Sequence, residues 1–340
     1  MKLTESPLRK QRDPYFDSLK FILTAMVVMG HALQAHLESG NRLLFTTYAF
    51  TQIFRIPLFI FVSGYFTKNL TWEKYKKGLL ALVVMYFLFQ LIYSFDNILA
   101  GRFSLLSFLL EPTGPMWYIM ALILWRAFFS LKPTFKYEFP IILTLSLLAS
   151  LVIGFKITLL VHEAVRVVSF FPYFVLGYYC SPKIIEKIRS WNGFIPLFIL
   201  ILGFIAVYDY MPSMFRMSLY GTFSFKVLFR EEPLVGLLHR VLSFPLAIFF
   251  GVMVLNLCTD SFARWGKKTV YIYLLHPIIM FSIYFGMLDW FGIEQTFFGN
   301  MLAFPIVVIV CVYISRFQVI QFLVNPVNFI KDKRKKTRDE

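Results

Sequence analysis

Lys20 and His31 stand eleven positions apart in "LKFILTAMVVMGHALQ", a stretch otherwise apolar enough for the middle of a membrane-spanning helix. An ionisable group inside a bilayer is costly and marks a functional site by default. A helix turns about 100° and rises about 1.5 Å per residue, so eleven residues bring both side chains to one face, about 16 Å apart along the axis. An imidazole suits proton transfer near neutral pH. A lysine at the inner end of the same face attracts anions, so the pair fits an elongated anionic ligand entering from the cytoplasm. The pantetheine arm of coenzyme A is of that order of length, one fit among several. Each residue also has a plainer reading: Lys20 as a snorkelling side chain and His31 as a hydrogen-bonded packing residue. Asp17, fourteen positions before His31, lies about 21 Å from it along the helix and cannot orient the ring. Three positions from Lys20, Asp17 is placed to anchor the lysine instead.

Other elements must enclose such a helix. Of the 340 residues, 58% are hydrophobic, 16% are charged and 41 are phenylalanine. One soluble core could not hide that much apolar surface, so lipid is the solvent for most of the chain. A span needs about 20 mainly apolar residues. Ten segments qualify: 15–36, 43–66, 78–99, 115–131, 139–156, 165–181, 193–209, 236–258, 268–287 and 297–323. The expected fold class is therefore an all-α polytopic integral membrane protein of about ten transmembrane helices. An even count puts both termini on one side, and their basic residues assign that side to the cytoplasm. Residues 1–14 and 324–340 then form cytoplasmic basic tails around a transmembrane domain spanning 15–323.

The net charge of +15 does not indicate nucleic acid. The cations cluster between apolar spans, as in "KNLTWEKYKK", "SPKIIEKIRS" and "RWGKK", which is the positive-inside pattern and favours anionic headgroups. Cys180, Cys258 and Cys311 form no metal-ligand spacing and suggest no disulfide framework. The start, "MKLTESPLRKQRDPYF", reads as a cytosolic tail and not a removed signal peptide. The longest outer connection, 210–235, is amphipathic and aromatic, and either lies on the interface or partly covers a cavity. His276 directly precedes Pro277 within the ninth span, where the proline bends the helix. Trp117 and Tyr118 fit a sugar-stacking platform or an interfacial aromatic belt. His36, His162 and His239 fall near outer boundaries and are expected to be solvated.

"YFDSLKFILTAMVVMGHAL" resembles the first helix of the membrane-bound acyltransferase-3 family, whose signature is a basic residue, ten positions and a histidine. The branch it resembles contains fucose 4-O-acetylase-like proteins. In order along the chain, "FRIPLFIFVSGYF", "PMWYIMALILWR", "VRVVSFFPYFVLGYY" and "WGKKTVYIYLLHP" are similar to further family segments, over about residues 12–280. There are departures. Arg55 stands where this branch often has histidine, Met85 near an expected proline, and Lys74, Lys76 and Lys77 where relatives usually carry arginines. A lysine offers phosphate a point charge without the bidentate fork.

The resemblance implies acyl transfer, usually of acetyl, from a cytosolic thioester to a glycan hydroxyl in the bacterial cell membrane. It makes His31 the expected general base, with no acyl-enzyme nucleophile apparent. Ser63, the backbone around Gly64, Tyr118 and Arg166 are the expected donors to the developing oxyanion, and His276 joins the site through its motif. Lys20, Asp17, Arg55, Lys74 and Lys77 are expected on the donor side, Trp117 and Tyr118 on the acceptor side. The expected partners are acetyl-CoA, an envelope glycan or lipid-linked saccharide, and membrane lipid, with no metal and no tightly bound cofactor. A polar passage past the Lys20–His31 face should join the two sides. A transporter or flippase of lipid-linked saccharide, or a non-catalytic subunit, would also carry charges in its spans.

Overall fold

The computed structural model describes residues 12–34, 37, 40–155, 162–211, 213–229 and 232–339. Among them there is no strand. Helices α1 (Pro14–Gln34), α2 (Arg42–Tyr65) and α3 (Trp72–Tyr93) come first, followed by short α4 (Phe95–Leu99) and α5 (Leu105–Leu110). Then come α6 (Met116–Leu131), α7 (Glu138–Val152), α8 (His162–Tyr179), α9 (Pro182–Arg189) and α10 (Phe194–Tyr210). Short α11 (Ser213–Ser218) and α12 (Phe225–Phe229) lead to α13 (Pro233–Leu257) and α14 (Ala263–Gly266). The chain closes with α15 (Thr269–Pro277), a π-helix over Ile278–Phe285, α16 (Gly286–Trp290), α17 (Phe297–Ile314), α18 (Gln318–Val324) and α19 (Pro326–Asp339). A helix lies under each of the ten apolar segments. Seven are long and apolar enough to cross a bilayer, and α9–α10, bent by 86°, would make an eighth. The chain is a multi-pass membrane protein.

Local chemistry sets several ends differently from hydropathy. Thr71 caps α3 by accepting the Lys74 N–H, so this helix starts at Trp72 and not near residue 78. Lys74 and Lys77 therefore belong to its first turns and not to a loop. The tenth segment is interrupted at Ser315, whose carbonyl accepts from the Gln321 amide, so α17 and α18 are separate helices. The C-terminal basic segment is itself helical as α19 and packs along α3.

α2 is the hub, packing on α1, α8, α10 and α13. Its crossing with α8 depends on absent side chains. A Cβ on Gly64 would lie 2.1 Å from the Phe174 carbonyl oxygen, and one on Gly177 would lie 1.9 Å from that of Phe61. Small residues permit such close backbone approach where lipid offers helices no hydrophobic drive to associate. Gly64 is thus required by this packing. Gly266 does the same against Asp17, seating α14 on α1.

Candidate functional site

Successive short connections bring the ends of α1, α2, α3 and α14 together at one end of the bundle. Lys20 lies there, its Nζ donating to Asp17 Oδ1 at 2.8 Å and sitting 5.2 Å from the Phe66 ring centroid. Asp17 is buried and also faces Arg12 at 3.9 Å. Lys74 and Lys77 are exposed at the same end. The expected Asp17–Lys20 pairing is what the structure contains.

Further along α1, its inward face carries Thr24, Val27, His31 and Gln34. The last three line a cavity of about 650 Å³. His31, His276, Arg55, Arg166, Trp117 and Tyr118 all meet there. The His31 and His276 rings stack with centroids 5.4 Å apart at 29°. His276 Nδ1 lies 2.9 Å from the Ile272 carbonyl. A carbonyl only accepts, so this bond places the proton on Nδ1 and leaves the Nε2 lone pair open. That Nε2 is buried and has no protein partner. Pro277 follows, and the helix changes from α to π over Ile278–Phe285. Such π segments are rare and cluster at functional sites. Gln34 makes a side-chain hydrogen bond to His31, one turn further along the helix.

Arg55 occupies a pocket carved by a glycine. A Cβ on Gly30 would sit 2.3 Å from the guanidinium Nη1. Nη1 donates to Thr51 Oγ1 at 3.3 Å, the guanidinium lies over the Tyr48 ring at 4.9 Å, and Nε has no partner. Arg166 points inward over the Trp117 ring at 5.2 Å and donates from Nε to Thr222 Oγ1 at 2.6 Å. It is not a snorkelling side chain. Trp117 and Tyr118 are each 8% exposed, which removes them from any interfacial belt.

Two outer segments complete the cavity. Gln90, fully buried on α3, donates to the Phe108 and Glu111 carbonyls and accepts from the Thr113 N–H. These bonds draw residues 113–115 down into the bundle, so α6 starts at the cavity wall. Gly114, at φ 56°, makes the turn that a side chain would strain. On the other side Leu219 and Tyr220, from the 210–235 connection, line the cavity and partly cover it. Burial raises the Tyr220 hydroxyl above the usual tyrosine range, reinforced by the Tyr48 hydroxyl that hydrogen-bonds to it.

Ser63 stands outside the wall. Its hydroxyl donates to the Phe59 carbonyl and meets the Tyr118 hydroxyl at 2.5 Å, so it reaches the cavity only through Tyr118. The Tyr118, Phe59 and Tyr273 rings pack at the same point. On α1 the cavity stops at Val27, and Lys20 does not line it. The Lys20–His31 face is turned into the protein, while the expected polar passage along it is interrupted. His239 is half-buried between the Phe215 and Phe229 rings, not solvated, because α11 and α12 fold over it. His36 and the His162 side chain lie outside the described residues.

Sequence reasoning missed Gln34, Gln52, Tyr93, Asp96, Tyr220 and Tyr273 in this lining. Asp96, exposed on α4, is the one carboxylate among its described residues. A glutamine or aspartate within or beside an apolar span was the available signal for three of the six.

Fold and cavity together define a multi-pass helical membrane protein whose polar centre lies inside the bundle. Residues 13–316 match the model of the acyltransferase-3 family, described as an acyltransferase domain. The chain belongs to that family and is a membrane acyltransferase. No curated protein and no solved structure matches it.

Proposed function

We propose that the protein moves an acetyl group from cytosolic acetyl-CoA to a hydroxyl of a cell-envelope glycan or its lipid-linked precursor, as a member of the fucose 4-O-acetylase-like branch. The observation that carries the reading is the stacked His31–His276 pair beside Arg55 and Arg166 in one intramembrane cavity. A hydroxyl attacks a thioester well only as a base takes its proton. His31 accepts that proton, the hydroxyl oxygen bonds to the carbonyl carbon, and collapse of the tetrahedral intermediate breaks the C–S bond. The proton then passes to the departing thiolate. Arg55 and Arg166 supply positive potential where the oxyanion forms. His276, with Nδ1 tied to Ile272, holds the neighbouring ring at fixed orientation.

The donor side is Lys20, anchored by Asp17, with Lys74 and Lys77, all at the basic end that the positive-inside rule assigns to the cytoplasm. Trp117 belongs to the acceptor side through Arg166, whose guanidinium its ring holds at 5.2 Å. Ser63 acts through Tyr118, positioning its hydroxyl.

Glycan analysis of a deletion strain tests the reading, with complementation by wild type and by His31→Ala. Ester groups should disappear, return with wild type and stay absent with the variant. Unchanged ester content in the deletion strain would overturn the acyl-transfer assignment. Movement of a saccharide lipid across proteoliposomes without thioester consumption would establish the flippase alternative.

A further inference from the structure

A second cavity of about 260 Å³ lies between α2, α7, α8 and α13. It shares Gln52, Phe170 and Leu219 with the larger cavity, so the two are separated by a wall of single side chains. Its described lining holds one cation, Arg240, and no carboxylate. Arg240 is 8% exposed, seven residues into α13, about 10 Å from the helix start. The hydrogen bonds it donates to the protein come from Nη1, to the Ser150 carbonyl at 2.9 Å and Ser169 Oγ at 3.1 Å. Its guanidinium lies 4.9 Å from the Phe225 ring centroid, and no ion pair among the described residues includes it.

A pin joining α13 to α7 and α8 needs hydrogen bonds but no charge, and a buried cation in a membrane costs several kcal/mol unless something offsets it. Gln52, 5% exposed, stands at the shared wall, and its buried carbonyl oxygen has no donor. Val241 also lines the cavity and is 45% exposed, so the space reaches the lipid-facing side of α13. A molecule fitting these features carries an apolar chain toward the lipid and a phosphate at Arg240. Beyond the phosphate it presents a hydroxyl-bearing head at Gln52, pointing into the larger cavity.

We propose that this second cavity binds the phosphate of a membrane lipid that enters sideways from the bilayer. That this lipid is the acyl acceptor rests on the function proposed above; the binding itself does not.

The test measures binding to the purified full-length protein in detergent, with farnesyl phosphate and farnesol as a pair differing only in phosphate. Wild type should prefer the phosphate at least tenfold. Arg240→Gln should reduce that preference to less than threefold, and Arg240→Lys should restore most of it. Equal binding of the two probes by wild type, or an undiminished preference in Arg240→Gln, would overturn the proposal. Should Arg240→Gln not fold, Val241→Trp decides instead. It fills the lateral mouth and should weaken farnesyl phosphate binding at least fivefold, and unaltered binding would refute the site. Inorganic phosphate binding as tightly as farnesyl phosphate would also refute a lipid site. Where wild type prefers farnesyl phosphate over farnesol, dihexanoyl phosphatidic acid then tells the source: weaker binding than farnesyl phosphate supports an isoprenoid lipid at Arg240, and tighter binding a glycerolipid.

Discussion

At the basic end of the bundle, cations come with carboxylates. Lys20 meets Asp17 at 2.8 Å, Lys76 meets Glu73 at 2.7 Å, and Lys132 meets Glu138 at 2.6 Å. Deeper in, Arg55 is met by a threonine hydroxyl, a carbonyl and a tyrosine face, and Arg240 by a serine hydroxyl, a carbonyl and a phenylalanine face. Ion pairs near water gain little and are screened by salt. A buried cation held only by dipoles and π faces keeps its charge for a visiting anion. On the proposed function the two regions would divide the labour: the end gathers charge in ion pairs, and the interior keeps a concentrated field for a few atoms.

The sharpest way to break this contrast is to remove the interior base. His31→Ala and His31→Gln should each lower ester formation by about 10²- to 10⁴-fold, the usual worth of general base catalysis, with membrane insertion intact. Glutamine preserves polarity without accepting the proton, so an active His31→Gln enzyme would remove the imidazole from the chemistry. Next in size, Gly177→Ala pushes a methyl against the Phe61 carbonyl. Overpacking of this kind costs about 1–3 kcal/mol, read as a lower melting temperature in detergent. An unshifted melting curve would show that the α2–α8 crossing is not tight.

At the basic end the effects should be smaller and should fall on affinity. Lys20→Met is expected to weaken acetyl-CoA binding about tenfold, the scale of one charge-assisted contact, with little change in the bound turnover rate. Lys77→Met, at an exposed position, should weaken it less than about threefold and only at low salt. A Lys77 effect that survives high salt, or a Lys20 effect on turnover alone, would erase the distinction between the regions.

How much of this was legible in the sequence follows from which signals are local. Apolar runs located all ten helical segments, and helix geometry turned Lys20 and His31 onto one inward face. What stayed hidden was set by partners distant in the chain. Ser63 looked like a site residue, yet its hydroxyl is latched to Tyr118, 55 positions away. Gln90 reads as an isolated polar residue until its bonds to the Phe108 and Glu111 carbonyls show that it draws the 113–115 loop inward. The π-helix after Pro277 has no periodic signature in so apolar a stretch. The six-residue shift at the start of α3 arose because Thr71 caps a charged first turn, which hydropathy does not see.

Arg55 under Gly30 bears on how the chain enters the membrane at all. An arginine near the centre of a lone helix opposes insertion by about 2.5–3.5 kcal/mol. α2 carries one thirteen residues past its first, and part of its relief, the vacancy at Gly30 and the Met26 carbonyl, lies on α1. Entry of α1 and α2 into lipid as a hairpin would supply that relief while α2 inserts. In a chain truncated after Lys77, Gly30→Leu should then lower the inserted fraction of α2, read by glycosylation mapping, although the substitution makes α1 more hydrophobic. Equal insertion would mean that α2 partitions unaided, and that the arginine's seat is assembled only afterwards.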